Sequence, residues 1–140
     1  MKRPLRRVAQ AVLNILGRSD AELSILIVDN AGIQEINREY LQRDRPTNVI
    51  SFAMQEGEGA GIQPKVLGDV VISAERAATD AAAAQIPFAH ELWFLLIHGI
   101  LHLVGYDHER GTAEDARLME EKEREILAQI LAGTAADYKP

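Results

Sequence analysis

Apolar and polar positions along the chain alternate with two distinct spacings. Leu5, Val8, Val12 and Ile15 recur every three or four residues, which predicts a helix over residues 4–17. LSILIV (Leu23–Val28) is a short run rich in β-branched side chains and predicts a strand. Asp29-Asn30 supplies a turn or an N-cap. Ala31–Leu41 then predicts a helix with Ile33, Ile36, Tyr40 and Leu41 turned inward. NVISFA (Asn48–Ala53) and VLGDVVIS (Val66–Ser73) predict two further strands. Between them QEGEGAGIQPK (Gln55–Lys65) is Gly-rich, acidic and contains a proline, which predicts a mobile surface loop. Ser73 is placed to cap an Ala-rich helix over 74–85.

The next helix opens at Pro87-Phe88, runs to about Val104 and is apolar on nearly every face. Such a helix belongs at the centre of a domain. Gly105 ends it. Thr112 and Asp115 resemble a capping box for a last helix that runs to about Leu131 and stops at Gly133. Met119, Glu123, Ile126 and Ile130 define its core-packing stripe. EEKERE (Glu120–Glu125) reads as a solvated face, with Glu120 and Arg124 at ion-pair spacing. This order of elements predicts an α+β domain over residues 1–140, with a small mixed β-sheet packed on a central buried helix.

A chain of 140 residues can build one ordinary core and is too short for two. It contains no cysteine, so disulfides, thiolate zinc sites and iron–sulfur clusters are excluded, and any metal must be held by His, Asp or Glu. MKRPLRRVAQAVLNIL begins basic, but Gln10 and Asn14 interrupt its apolar part, so it reads as an amphipathic helix rather than a signal peptide. The longest apolar run, Leu92–Ile97, falls far short of the about 20 residues that span a bilayer. A cytoplasmic protein with no membrane partner is expected. The net charge of −6 comes wholly from residues 71–140, whereas the first eighteen residues hold Lys2, Arg3, Arg6, Arg7 and Arg18 and no acid. Overall acidity argues against broad coating of nucleic acid, DNA included, but leaves room for a local basic face.

Three of the four histidines fall within HGILHLVGYDH (His98–His108), inside the most apolar segment. His98 and His102 are four apart on the predicted helix and project from one face. Gly105 reverses the chain, and His108 can return a third nitrogen. Three neutral nitrogens without a thiolate suit one Zn²⁺ ion, with a fourth position open, as in catalytic sites. His90, eight residues before His98, reads as structural or substrate-facing. The spacing matches the metzincin metalloproteases, a metal helix followed by a Gly turn, except that their general-base Glu after the first His is here Gly99. Gly99 either clears space beside the metal or permits close helix packing. Asp107 either accepts the second ring N–H of a ligand histidine or serves as the base.

HGILHLVGYDH also resembles the signature of the YbeY family of bacterial metal-dependent endoribonucleases and ribosomal RNA maturation factors. INREYLQRDRPTNVISF (Ile36–Phe52), LGDVVIS (Leu67–Ser73) and ARLMEEKEREIL (Ala116–Leu127) resemble its other blocks, in order. The resemblance covers most of residues 23–131. It implies an α+β fold, one Zn²⁺ on His98, His102 and His108, and single-strand cleavage in ribosomal RNA processing. The implied work is maturation of the 16S 3′ end and ribosome quality control, with ribosomal RNA and the small subunit or its proteins as partners. The family's second block often carries an Arg after its Tyr, where this chain has Leu41. Arg43 is the first candidate to hold the phosphate instead, with Arg38 and Arg45 as alternatives. Thr47, Asn48 and Ser51 either line the substrate groove or pair backbone, Tyr106 packs over the turn or lines the cleft, and Asp69 reads as a turn residue at a sheet edge. Two other readings compete. One is a metzincin-like hydrolase of another substrate such as a peptide, which lacks its base at Gly99. The other is a non-enzymatic ribosome-assembly factor with a structural zinc, docking through the basic N-terminal segment.

Overall fold

The computed structural model describes residues 2–54, 66–106 and 112–133. Its elements run α1 (Lys2–Ile15), β1 (Glu22–Val28), α2 (Asn30–Leu41), β2 (Val49–Ala53), β3 (Val66–Ser73), α3 (Ala74–Ala84), α4 (Phe88–Leu103) and α5 (Ala113–Ala132). They are the elements expected, with ends moved by a residue or two. The 55–65 segment, expected to be a mobile loop, lies outside the described residues.

The sheet has the order β1-β3-β2 and is mixed. β1 runs parallel to β3, and β2 runs antiparallel to it. As the central strand, β3 is buried on both faces except at Asp69 and, in part, Val66. Its alternation splits the core. Val70 and Ile72 join the main cluster with Leu92, Leu95, Leu96, Ile100, Met119 and Ile126, whereas Val71 turns to the other face with Ile33 and Ile50. Helix α4, with eight buried residues, is therefore the central helix that its composition predicts.

Two local features fix the sheet. The β1–β3 register shifts between Glu22 and Leu23, and Gly68 takes φ +142° beside that shift. A Cβ on Gly68 would fall 1.9 Å from the Phe52 carbonyl oxygen, so only glycine allows β2 to pair here. At the far end of β3, Ser73 is fully buried. Its hydroxyl donates to Asn30 Oδ1 at 2.7 Å and accepts from the Arg76 N–H at 3.1 Å. The Asn30 N–H in turn donates to Glu75 Oε1 at 2.9 Å. These bonds tie the starts of α2 and α3 together at the ends of two parallel strands.

Some side chains depart from expectation. Tyr40 and Leu41 are 66% and 41% exposed rather than inward. Helix α2 covers the sheet with Ile33 and Ile36, and its last turn overhangs the edge strand β2, where Tyr40 meets Phe52 edge-on at 5.8 Å. Asp69 is no turn residue. It sits inside β3, paired with Ser24 and Phe52, and points to solvent. Arg6, Arg7 and Arg18 are exposed, as a solvated basic face requires. The capping box at Thr112 forms as expected, with bonds of 3.0 and 3.1 Å between Thr112 and Asp115. Among the described residues no single helix is long and apolar enough to cross a membrane.

Candidate functional site

The i, i+4 spacing on α4 places Phe94, His98 and His102 along one stripe. The His98 and His102 rings lie 4.9 Å apart between centroids, edge to face at 67°. Both are partly buried. They form one wall of a groove of about 1110 Å³ that runs between α4, the strand β2 and the segment after α2.

Behind the histidines stands α5. Its Glu123 is buried, and Glu123 Oε2 lies 2.6 Å from His98 Nδ1. Met119 and Ile126, four residues before and three after, are fully buried on the same stripe and hold Glu123 against α4. The sequence reads Glu123 as packing, and the structure gives it a polar partner in the site. Its signal was present: a carboxylate on an apolar stripe must find a partner, because an unpaired buried charge is costly. Arg124, read as part of a solvated face, also lines the groove.

The opposite wall carries the other cations. Helix α2 ends on Gln42 in the left-handed conformation, and the chain turns back through Arg43, Asp44 and Arg45. Asn37, buried at the end of α2, holds this turn. Its side chain donates to the Arg45 carbonyl at 2.9 Å, and its own carbonyl accepts from the Arg43 N–H at 3.2 Å. Gln34 donates to Asp44 at 3.0 Å. Arg43 and Arg45 thereby line the groove, whereas Arg38 does not and lies 3.9 Å from Asp44. Leu41, where an arginine was expected, borders the groove as an apolar side chain.

The remaining candidates divide. Thr47, Asn48 and Ser51 line the groove, and the Asn48 carbonyl also accepts from the Ser73 N–H at 2.9 Å. Tyr106 packs on the main core and lines the groove as well. His90 stays away from it and leans on Trp93, 5.6 Å between centroids. Gly99 borders the groove, but its Cβ direction faces β3. His108 and Asp107 lie outside the described residues.

The sequence model named Endoribonuclease YbeY matches residues 1–131. The chain belongs to the YbeY family. An Endoribonuclease YbeY of Syntrophotalea carbinolica is 65% identical over 126 residues, 90% of this chain and 84% of that protein. The Endoribonuclease YbeY of Geobacter metallireducens is 56% identical over 124 residues, 89% of this chain and 83% of its own. A solution structure of a Thermotoga maritima protein shares the fold, with a TM-score of 0.63 over 99% of this chain and 91% of that one, at 23% identity.

In this YbeY-family chain the donor set of the groove fits a borderline metal such as zinc. Two adjacent imidazoles and a carboxylate hydrogen-bonded to one of them are the groups that zinc sites use. Among the described residues no group of three His, Asp or Glu side chains is gathered for a metal, and His108 lies outside them.

Proposed function

We propose that this chain is a zinc-dependent endoribonuclease that cuts single-stranded RNA, and that its substrate is ribosomal RNA of the small subunit near the 16S 3′ end. Work in 16S maturation and ribosome quality control, in the cytoplasm, belongs to the same reading. The observation that carries it is the groove itself, in which His98 and His102 share one cleft with Arg43, Arg45 and Arg124. Membership of a family whose relatives are named endoribonucleases gives RNA as the polymer.

Each wall has a task. Arg43 and Arg45 hold the phosphodiester backbone, since a guanidinium can bind a phosphate through two parallel N–H donors. His98 and His102, with His108, would hold the zinc ion. Such an ion supplies Lewis acidity toward a phosphoryl oxygen and a water made acidic near neutral pH. Phe94 and Leu95, apolar neighbours on the same helix, limit water around the histidines. Asp107 remains a candidate either to accept an N–H from a ligand histidine or to take the proton from the attacking water.

The test is incubation of zinc-loaded protein with a small-subunit rRNA fragment spanning the 3′ end, beside casein, a chelator and His102→Ala. The expected result is RNA cleavage that disappears with chelator and with His102→Ala, and intact casein. Cleaved casein with intact RNA would move the site to peptide hydrolysis. Intact RNA from protein holding one zinc ion would favour a ribosome-assembly factor.

A further inference from the structure

We propose that Glu123 is a positioning residue that holds His98 as the Nδ1–H tautomer, so that the Nε2 lone pair is the one presented to the groove. The proposal deepens the metal reading above and rests on it only for its consequence.

The distance makes the hydrogen bond, and the chemistry of its acceptor gives it a direction. Glu123 Oε2 and His98 Nδ1 are 2.6 Å apart, with side chains 6% and 20% exposed. An ionised carboxylate only accepts, so the proton between them belongs to Nδ1. In a neutral imidazole the other nitrogen then carries the lone pair. A water-exposed histidine would exchange between its tautomers. Here the acceptor comes from a separate helix and is held by buried neighbours. Met119 and Ile126 flank Glu123 on the α5 stripe, and the capping box at Thr112 fixes where that helix begins. Swapping the ring's donor and acceptor would set a lone pair against a buried carboxylate, which the low-polarity surroundings penalise. The same bond orients the ring and makes Nε2 a better donor to a metal, the usual effect of a carboxylate behind a ligating histidine. It also gives α5 a function: the helix is a rigid backstop for one half of the α4 histidine pair.

The decisive experiment needs no metal. Two-bond ¹H–¹⁵N correlation spectra of the metal-free, full-length protein at pH 8, with His98 assigned by the peaks lost in His98→Asn, report which ring nitrogen carries the proton. The expected result is a protonated Nδ1 and an unprotonated Nε2 at His98. A His98 found as the Nε2–H tautomer, or as an even mixture, would overturn the proposal. Two variants then test the consequence. Glu123→Gln keeps an acceptor oxygen and should keep the tautomer. Glu123→Ala should release it and weaken zinc binding about 10- to 100-fold in a chelator competition. A folded Glu123→Ala protein with unchanged tautomer and unchanged zinc affinity would also overturn it. An Nδ1–H His98 in a protein that takes up no zinc would support the positioning and overturn the metal reading.

Discussion

Gly99 and Val70 sit so close that a Cβ on Gly99 would fall 2.7 Å from Val70 Cγ1 and 3.1 Å from Cγ2. This contact lets α4 settle onto β3, and it uses up the position that follows the first histidine. A side chain there would enter the sheet rather than the groove. Of the two roles the sequence allows for Gly99, close packing is the one the structure displays, and no general base can come from this residue.

Gly99→Ala should therefore cost stability, about 1–3 kcal/mol, because Val70 is stiff and buried and has nowhere to move. Urea unfolding measures it. Adding Val70→Ala should recover part of the loss. A Gly99→Ala protein as stable as the parent would show that the two elements can separate freely.

How much of this was legible in the sequence follows from what each signal depends on. Spacing and capping are local, so α4, β3 and the Thr112–Asp115 cap could be read directly. The stripe of α2 failed at Tyr40 and Leu41 because inwardness depends on how far the sheet extends, and β2 is an edge. Asp69 failed because a Gly-Asp pair signals a turn, whereas here Gly68 serves a close strand contact inside a register shift. In the site, the His98–His102 pair is a helical repeat and was visible. The Glu123 partner spans twenty-five residues, and no local rule pairs α5 with α4.

Asn37 holds the arginine turn through bonds to Arg45 and from Arg43. Asn37→Ala leaves the Arg45 carbonyl without that donor, and the expected loss is about 1–3 kcal/mol of stability. RNA binding should weaken further than stability alone explains, since the turn that carries both arginines loses its side-chain anchor at Arg45, while the Arg43 N–H keeps the backbone carbonyl of residue 37. Binding measured by fluorescence anisotropy well below the melting temperature separates the two effects. Unchanged affinity in the folded variant would show that the turn keeps its shape without Asn37.

Arg43 and Arg45 line the groove and Arg38 does not. If each of the first two neutralises one phosphate, Arg43→Gln or Arg45→Gln should lower the slope of log affinity against log salt by about 0.7 for single-stranded RNA. Arg38→Gln should leave it unchanged. A salt titration of the three variants decides this, and an effect at Arg38 equal to that at Arg43 would contradict the assignment.

Glu91, in the first turn of α4, has its pKa raised by burial and then by the charge of Asp80. A raised folded pKa means that the folded state binds the proton more tightly than the unfolded chain. The stability from this proton is present below the usual carboxylate pKa of 4.5 and is lost as the pH climbs through the raised value. Glu91→Gln should remove that dependence. Its stability relative to the parent should improve between pH 3.5 and pH 7, as read from urea midpoints. A relative stability that falls over this interval would reverse the sign.

In the proposed function one zinc ion on the α4 histidines makes the groove cut RNA. The most direct test is to titrate metal-free protein with zinc, reading bound zinc and single-turnover cleavage of a 16S 3′-end fragment in the same samples. Cleavage is expected to rise in proportion to occupancy, to saturate at one equivalent, and to be absent at all occupancies in His98→Ala. Cleavage at full rate without bound zinc, or one equivalent bound with no cleavage, would contradict it.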